Sequence, residues 1–186
     1  MCILVPVDRK IEVFPALMKT RTLTLVCFLA LFMISRTSWA AGGISIFLNM
    51  SNIAGDSIVS GHTGDVTIQS FSLDLAKYGT EQPSFSLSLV KPLSLNSPVF
   101  AADCASGITN QTATVSFYNA AGTTTAFYSL ALSNVVVTAD SVSGNSGDTV
   151  MYEQISLSFK SITWTYVPKN PDGSPGTPVV TSYSSP

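Results

Sequence analysis

The sequence contains a single histidine, His62, which removes the usual general base from most hydrolytic mechanisms. A serine, threonine or cysteine nucleophile needs a base beside it, and histidine fills that role most often. His62 lies in the segment 61–64 (GHTG), where turn-stabilising and surface-contact roles are far commoner than catalysis. The nucleophile signature G-x-S-x-G is also missing. The sequence therefore predicts no catalytic residue and no enzyme.

Cysteine is scarce as well: Cys2 and Cys27 lie in the first forty residues, which leaves Cys104 alone in the remainder. Cys104 is then either a small buried thiol, the commoner outcome, or a bridge to another chain. One histidine and one cysteine cannot supply the three or four ligands of a zinc site. Residues 140–148 (DSVSGNSGD) lack the spacing of a calcium loop and are expected to form a hairpin turn. Glu153 has no obvious carboxylate partner, so we predict no paired acid–base chemistry. We also predict no metal and no cofactor.

Positive charge is concentrated at the N-terminus, where five of the nine basic residues lie in the first forty positions. From residue 41 onward the chain has no arginine and only four lysines against nine carboxylates, which gives a formal charge of −5. Nucleic-acid binding needs clustered cations that displace counterions from phosphates. Nucleic acid is therefore not predicted as a partner.

The N-terminal region has the pattern of a secretory signal peptide. Read from Met18, Lys19 and Arg21 form a short basic segment, and residues 23–34 (LTLVCFLALFMI) form an uncharged stretch of twelve that is apolar except for Thr24. This stretch is shorter than the roughly twenty apolar residues that span a bilayer, and it has the length of a signal-peptide core. Small residues at 38 and 40 place cleavage after Ala40. The mature protein is then expected to be periplasmic or secreted, with no membrane segment.

The domain organisation follows from this leader. Residues 1–40 are interpreted as leader, with 18–40 as the signal peptide proper, residues 41–167 as one domain, and residues 168–186, which contain five prolines, as a flexible tail. An uncleaved N-terminal anchor and a buried core helix are the competing interpretations of the apolar stretch. Residues 1–17 are unusual for a leader, so either Met1 or Met18 is the start.

Short alternating apolar runs dominate residues 44–167, which is typical of an antiparallel sandwich or barrel. Every second residue from Ile44 to Met50 is apolar and shares one face, with Phe47 on the other. Residues 51–65 lack a period, contain three glycines and are expected to form a long exposed loop. The predicted fold class is all-β.

Two predicted strands change phase partway along. In residues 66–75 the apolar positions change parity near Gln69 and Ser70, and residues 155–166 change parity around Ser161. One extra residue at each place, a β-bulge, would keep both halves of the strand facing the core. Two bulged long strands favour a coiled or closed barrel. Further strands are expected at 85–89, 115–117, 127–132 and 135–142, with hairpin turns at 119–122 and 143–148.

One segment has the period of a helix. Residues 97–107 begin with Ser97 as the expected N-cap and a proline at the first helical position, and they end at Gly107. Phe100, Cys104 and Ile108 stand four apart, so this short α-helix is expected to dock that apolar stripe on the barrel wall.

Several segments resemble, in order, the haemolysin-coregulated protein family, Hcp, the tube subunit of bacterial type VI secretion. Residues 46–50 (IFLNM), 53–57 (IAGDS) and 61–66 (GHTGDV) are similar to the family's opening. Residues 152–166 (YEQISLSFKSITWTY) resemble its closing pattern E-x-x-S-L-x-F-x-x-I-x-W-x-Y. With the segments between them, these pieces span residues 44–167.

The resemblance implies a two-sheet antiparallel β-barrel with one flanking helix, a structural protein that assembles into a homo-hexameric ring through strand edges. Rings of this kind stack into a tube whose lumen holds small secreted effectors. The resemblance also implies a ring-stacking role for the loop 51–65. The candidate interface residues in this loop are Gly55, Asp56, Ser57, Gly61, His62, Thr63 and Gly64.

The leader departs from the family pattern, because typical members have no signal peptide and their tube is assembled in the cytoplasm. Either this chain is an Hcp-like protein with a different use outside the cytoplasm, or the leader is misinterpreted. The alternative function is a monomeric exported β-barrel module that binds a protein partner or ligand.

Overall fold

The structure is a computed structural model, described here for residues 43–77, 79, 83–119 and 125–185. These residues form nine strands and one helix. In chain order they are β1 (Ile44–Met50), β2 (Val66–Ile68), β3 (Ser70–Ala76), β4 (Ser84–Pro92), α1 (Ser97–Ser106), β5 (Thr109–Asn119), β6 (Tyr128–Ser143), β7 (Tyr152–Ser158), β8 (Ser161–Tyr166) and β9 (Val179–Ser184). The prediction of an all-β fold with one short helix is confirmed.

The sheet curls back on itself. Hydrogen-bonded neighbours run in the order β2-β1-β5-β6-β7-β4-β3, and every pairing is antiparallel. The two end strands of this path are joined through a single residue, Gln69, whose backbone N–H donates to the carbonyl of Val90 in β4 at 2.8 Å. The barrel is therefore closed by the chain itself, and its two walls are parts of one continuous sheet.

Both phase changes in the sequence are corners between two strands, and the prediction of bulges there was wrong. β2 pairs with β1, whereas β3 pairs with β4. Likewise, β7 pairs with β4 and with the second half of β6, whereas β8 pairs with the first half of β6. A strand that changes partners must turn, and the turn resets which parity faces the core.

In β6 the sequence predicted two separate strands, and this prediction was also wrong. Residues 128–143 form one strand in which Asn134 adopts a positive φ of 53°. The ladder with β7 shifts register between Val137 and Ala139, which marks a β-bulge. The predicted hairpin at 143–148 joins β6 to β7, whereas the predicted turn at 119–122 lies largely outside the described residues.

The core fills the barrel with side chains from alternate strand positions. Leu48, Leu87, Val115, Leu130 and Leu157 have no solvent exposure. Each such side chain contributes about 1.5–3 kcal/mol through burial. Phe47 lies on the opposite face of β1, as its parity requires, and it is also buried.

The helix α1 packs against β6, and its buried positions differ from the predicted stripe. Phe100 is fully buried, but Cys104 is half-buried and Ile108 is exposed. The other buried helix positions, Ser97 and Asp103, are polar and stand three residues on either side of Phe100. Polar side chains can be buried on this face because they are hydrogen-bonded. The spacing of apolar residues in the sequence does not reveal such bonds.

The ends of α1 are partly as predicted. Gly107 ends the helix with a φ of 66°, as expected. At the other end the N-cap is Asn96 rather than Ser97, and the Asn96 side chain makes no capping hydrogen bond. Ser97 is the first residue of the helix, and its hydroxyl donates to Glu153 Oε2 at 2.6 Å instead of capping the helix. Asp103 Oδ2 accepts from Asn110 Nδ2 at 2.9 Å, which ties the helix to β5.

The C-terminal segment is not a flexible tail as the sequence predicted. Residues 179–184 form β9, which pairs with β8 along six residues of each strand. The ring centroid of Tyr183 lies 5.1 Å from that of Phe85, so an aromatic contact fixes the strand on the barrel. Four of the five prolines precede this strand, and the chain folds back on itself at residues 169–175, where Lys169 and Pro175 are bridged.

Among the described residues, no helix combines the length and the apolar character needed to cross a membrane. The proposed leader, residues 1–40, lies outside the described part of the chain.

Candidate assembly surface

The loop 51–65 is held in one conformation by its own backbone. Gly55 N–H donates to the carbonyl of Gly64 at 2.7 Å, and Ser57 N–H donates to the carbonyl of Asp65 at 3.1 Å. The reverse bond runs from Gly64 N–H to the carbonyl of Ser57 at 3.0 Å. The two arms of the loop therefore form a short hairpin that projects a defined tip.

Exposure divides the seven candidate interface residues into two groups. Asp56, Gly61, Thr63 and Gly64 are exposed. By contrast, Gly55 and His62 are half-buried and Ser57 is buried, so these three hold the loop together.

Gly55 is required by close backbone packing. A Cβ atom at this position would lie 2.0 Å from the carbonyl carbon and oxygen of Asp65, a distance that no side chain tolerates. At the tip, Gly61 and Gly64 adopt φ angles of 85° and 83°, which favour glycine.

We expect Gly55→Ala to lower the free energy of unfolding by about 1–3 kcal/mol, because the loop arms must separate to admit the methyl group. Urea unfolding followed by the fluorescence of Trp164 would measure the loss. Gly43→Ala is the matched control, since an added Cβ there meets no atom within 4 Å. Equal stability of the two variants would contradict the packing argument.

His62 anchors the loop to the outer face of the barrel. Its ring stacks on Phe47 with centroids 4.1 Å apart and planes 7° apart, and it meets Tyr118 edge-on at 4.3 Å. His62 Nδ1 lies 3.1 Å from Asp65 Oδ2, and Asp65 Oδ1 accepts from Asn49 Nδ2 at 2.8 Å. The role of His62 within the chain is thus structural: it covers Phe47, the one apolar side chain of β1 that points away from the core.

Large apolar side chains are exposed on the loop 51–65 and beside it. Ile58 and Val59 share a groove with Leu93, and Leu93 N–H donates to the carbonyl of Met151 at 2.9 Å. We call Ile58, Val59, Leu93, Leu95 and Met151 the apolar rim. Ile58 is 92% exposed and Leu95 is 79% exposed. Several large exposed apolar residues close together are typical of a protein–protein contact surface.

A buried charged cluster lies beneath one side of the rim. Lys91 and Glu153 face each other across the β4–β7 ladder, and both have no solvent exposure. Lys91 Nζ lies 2.5 Å from Glu153 Oε2 and donates to the hydroxyls of Ser94 and Ser97 at 2.9 Å each. The Ser97 hydroxyl in turn donates to Glu153 Oε2 at 2.6 Å. The ion pair thus connects two strands, the turn 93–96 and the first residue of α1.

Sequence reasoning missed this cluster, and it stated that Glu153 had no obvious carboxylate partner. The alternation of inward and outward side chains along the two strands already indicated this cluster. Lys91 shares the parity of Leu87 and Leu89 in β4, and Glu153 shares that of Ile155 and Leu157 in β7, so both charges had to point inward. A buried lysine needs a buried acid, which pairs the two residues.

Glu153 also has a carboxylate neighbour, Asp140 of β6. The pKa of Asp140 is raised above its ordinary value by burial first, and then by the neighbouring carboxyl group of Glu153. Lys91 opposes this rise. Because Glu153 is fully buried, the two carboxyl groups do not form a site that a substrate could reach.

The described residues contain no group of three or more His, Cys, Asp or Glu side chains placed to hold a metal ion. Cys104 is a free thiol that is half-buried. The features that stand out in the described part of the chain are therefore surfaces, strand edges and one buried ion pair.

Residues 47–166 match the family described as type VI secretion system effector, Hcp. A search of curated proteins gave no match. Among solved structures, the chain is similar to a type six secretion system protein with a TM-score of 0.69 and 21% identity, covering 76% of this chain and 96% of that one. Hcp1 from Salmonella typhimurium gives a TM-score of 0.64 and 21% identity, covering 76% of this chain and 94% of that one. The secreted protein Hcp3 from Pseudomonas aeruginosa gives a TM-score of 0.54 and 19% identity, covering 77% of this chain and 100% of that one.

A closed β-barrel with one flanking helix and a projecting loop defines a structural protein of the type VI secretion tube class. The chain belongs to the Hcp family, because the family match covers more than half of its length. The resemblance seen in the sequence is confirmed, and the family is one of secretion-system proteins rather than of enzymes.

Proposed function

We propose that this chain assembles into homo-hexameric rings that stack through the loop 51–65 and the apolar rim. The observation that carries the proposal is the exposure of Ile58 and Val59, the two rim residues that lie on the internally hydrogen-bonded loop. A preformed apolar loop can contact a neighbour without an ordering cost. Membership of a family of type VI secretion tube proteins supports self-association.

In this proposal the loop residues have two different roles. Gly55, Ser57 and His62 maintain the loop, whereas Asp56, Gly61, Thr63 and Gly64 contact the adjacent ring. Ile58 would bury most of its side chain on stacking, which contributes about 1.5–3 kcal/mol per contact. Small secreted effectors are the cargo that we propose for the lumen of the rings.

Ile58→Asp is the variant that separates stacking from ring formation. We expect the native protein to show six-fold rings and short stacks by negative-stain electron microscopy, and Ile58→Asp to show single rings, because the introduced charges would be desolvated at the contact. Ile108→Asp is the matched control, since Ile108 is exposed and lies outside the loop. Stacks that persist in Ile58→Asp would contradict the assignment of the loop.

We further propose that the chain is exported through its leader, which supports a place of action in the periplasm or outside the cell. The basic segment and the apolar stretch of twelve residues carry this proposal. N-terminal sequencing of the protein recovered from fractionated cells should give a start at Ala41. A start before residue 23 would contradict export by cleavage.

The leader favours a second candidate function, a monomeric exported module that binds a protein partner or ligand. That function predicts a single-chain species at every concentration, accumulating outside the cytoplasm in a strain with no contractile machine. Rings recovered from such a strain would instead favour an Hcp-like assembly with a separate use.

A further inference from the structure

The buried cluster holds more negative than positive charge. Lys91 of β4 supplies one cation, whereas Glu153 of β7 and Asp140 of β6 supply two carboxyl groups. Two polar atoms in the cluster are buried without a hydrogen-bond partner, Glu153 Oε1 and Asp140 Oδ1. Each of these atoms can only accept a hydrogen bond while its carboxyl group is ionised.

Strand register brings the two carboxyl groups together. Asp140 is opposite Ile155, and Glu153 is opposite Val142, so the two acids are diagonal neighbours on one face of the β6–β7 ladder. Diagonal neighbours are within reach of long side chains. The remaining oxygen of Glu153 is occupied, since Oε2 receives both Lys91 and the Ser97 hydroxyl.

We propose that Asp140 and Glu153 share a single proton, held between Asp140 Oδ1 and Glu153 Oε1 beside Lys91, and that this proton stabilises the folded barrel. One proton converts one of the two orphaned acceptors into a donor, so a single hydrogen bond satisfies both atoms. It also leaves one positive and one negative charge in the cluster, which avoids an unbalanced buried carboxylate.

The charges around Asp140 agree with this arrangement. Burial and Glu153 raise the pKa of Asp140, and Lys91 lowers it by less. The other groups that face the cluster, the hydroxyls of Ser94 and Ser97, are neutral and bind Lys91.

The position of the cluster gives the proton a structural consequence. Lys91 Nζ donates to the carbonyl of Pro92 at 3.1 Å and to Ser94, and so fixes the turn that displays Leu93 and Leu95 on the rim. Loss of the proton adds a negative charge beneath that turn. The shared proton is a property of the folded chain and does not depend on ring assembly.

The sign of the pH dependence follows from the raised pKa of Asp140. In the window between its ordinary and its folded pKa, the folded protein binds more protons than the unfolded protein. Stability from this group therefore decreases as pH rises through the window. Ordinary surface carboxylates, which are not raised, do not produce this decrease.

Urea unfolding between about pH 4 and pH 7 tests the proposal, because an ordinary aspartate ionises at the lower limit. We expect the urea midpoint of the native protein to decrease with rising pH across part of this range. In Asp140→Asn, which mimics the protonated form and cannot ionise, that decrease should be absent. Asp74→Asn, at an exposed aspartate outside the loop 51–65, is the control and should keep the native decrease. Equal pH slopes in the native protein and Asp140→Asn would overturn the proposal.

Infrared titration of the native protein tests the shared proton without the use of a variant. The carbonyl stretching band of protonated carboxyl groups should retain one component that disappears at higher pH than the ordinary aspartates and glutamates. If all of the carboxyl groups ionised together in the ordinary range, no proton would be shared and the proposal would fail.

Discussion

Lys91→Met is expected to lower the free energy of unfolding by about 3–5 kcal/mol, because it removes one partner of a fully buried ion pair. Methionine has nearly the shape of lysine, so the loss reports charge and hydrogen bonding rather than a cavity. The hydroxyls of Ser94 and Ser97 and the carbonyl of Pro92 lose a donor at the same time. Urea unfolding at constant pH measures the difference.

Two further variants identify the cause of that loss. Lys160→Met makes the same substitution at an exposed lysine and should change stability by less than about 0.5 kcal/mol. In Lys91→Met with Glu153→Gln, the amide can still accept from Ser97 and donate to Asp140, so the double variant should be more stable than Lys91→Met alone. A double variant that is less stable would show that uncompensated charge is not the cause.

Phe100→Ala should destabilise the protein by about 3–5 kcal/mol, the usual effect of deleting a buried aromatic ring from a core. Phe100 is the apolar side chain through which α1 reaches the core, and the Lys91 ammonium lies 5.8 Å from its ring centroid. The loss should therefore include part of the support for the charged cluster. Thermal unfolding by circular dichroism is a suitable measurement.

Val99→Ala is the matched control for this prediction. Val99 is the neighbouring helix residue and is exposed, so its truncation should cost no more than about 0.5 kcal/mol. Comparable losses in the two variants would mean that α1 is not docked through Phe100.

Strand content and the family were predictable because period-two patterns report directly on a half-buried strand. The alternation in β1 placed Phe47 on the outer face, and the structure shows what covers it. His62, which the sequence could only assign to a turn or a surface contact, does so by stacking on its ring. The partner of a side chain on a loop depends on how the loop folds, and no local pattern encodes that.

The corners of the barrel were not predictable from one strand alone. A parity change at Gln69 is equally consistent with a bulge and with a turn between sheets, and only the pairing of β2 with β1 and β3 with β4 distinguishes them. β9 was missed for a similar reason. Its stability comes from pairing with β8 and from Tyr183, both of which are long-range contacts.

The cluster of Lys91, Glu153 and Asp140 was encoded more clearly than the sequence analysis recognised. A charged residue at core parity in a strand predicts a buried partner, and two such strands were present. Asp140 was harder to place, because the register shift in β6 alters which of its residues lie beside Glu153.

The central claim is that this chain acts through contacts between copies of itself. Native mass spectrometry of the protein recovered from the cell tests that claim most directly, because it counts the chains in each assembly. We predict masses of six chains and of multiples of six. A single-chain mass at every concentration, including those far above cellular levels, would contradict the account.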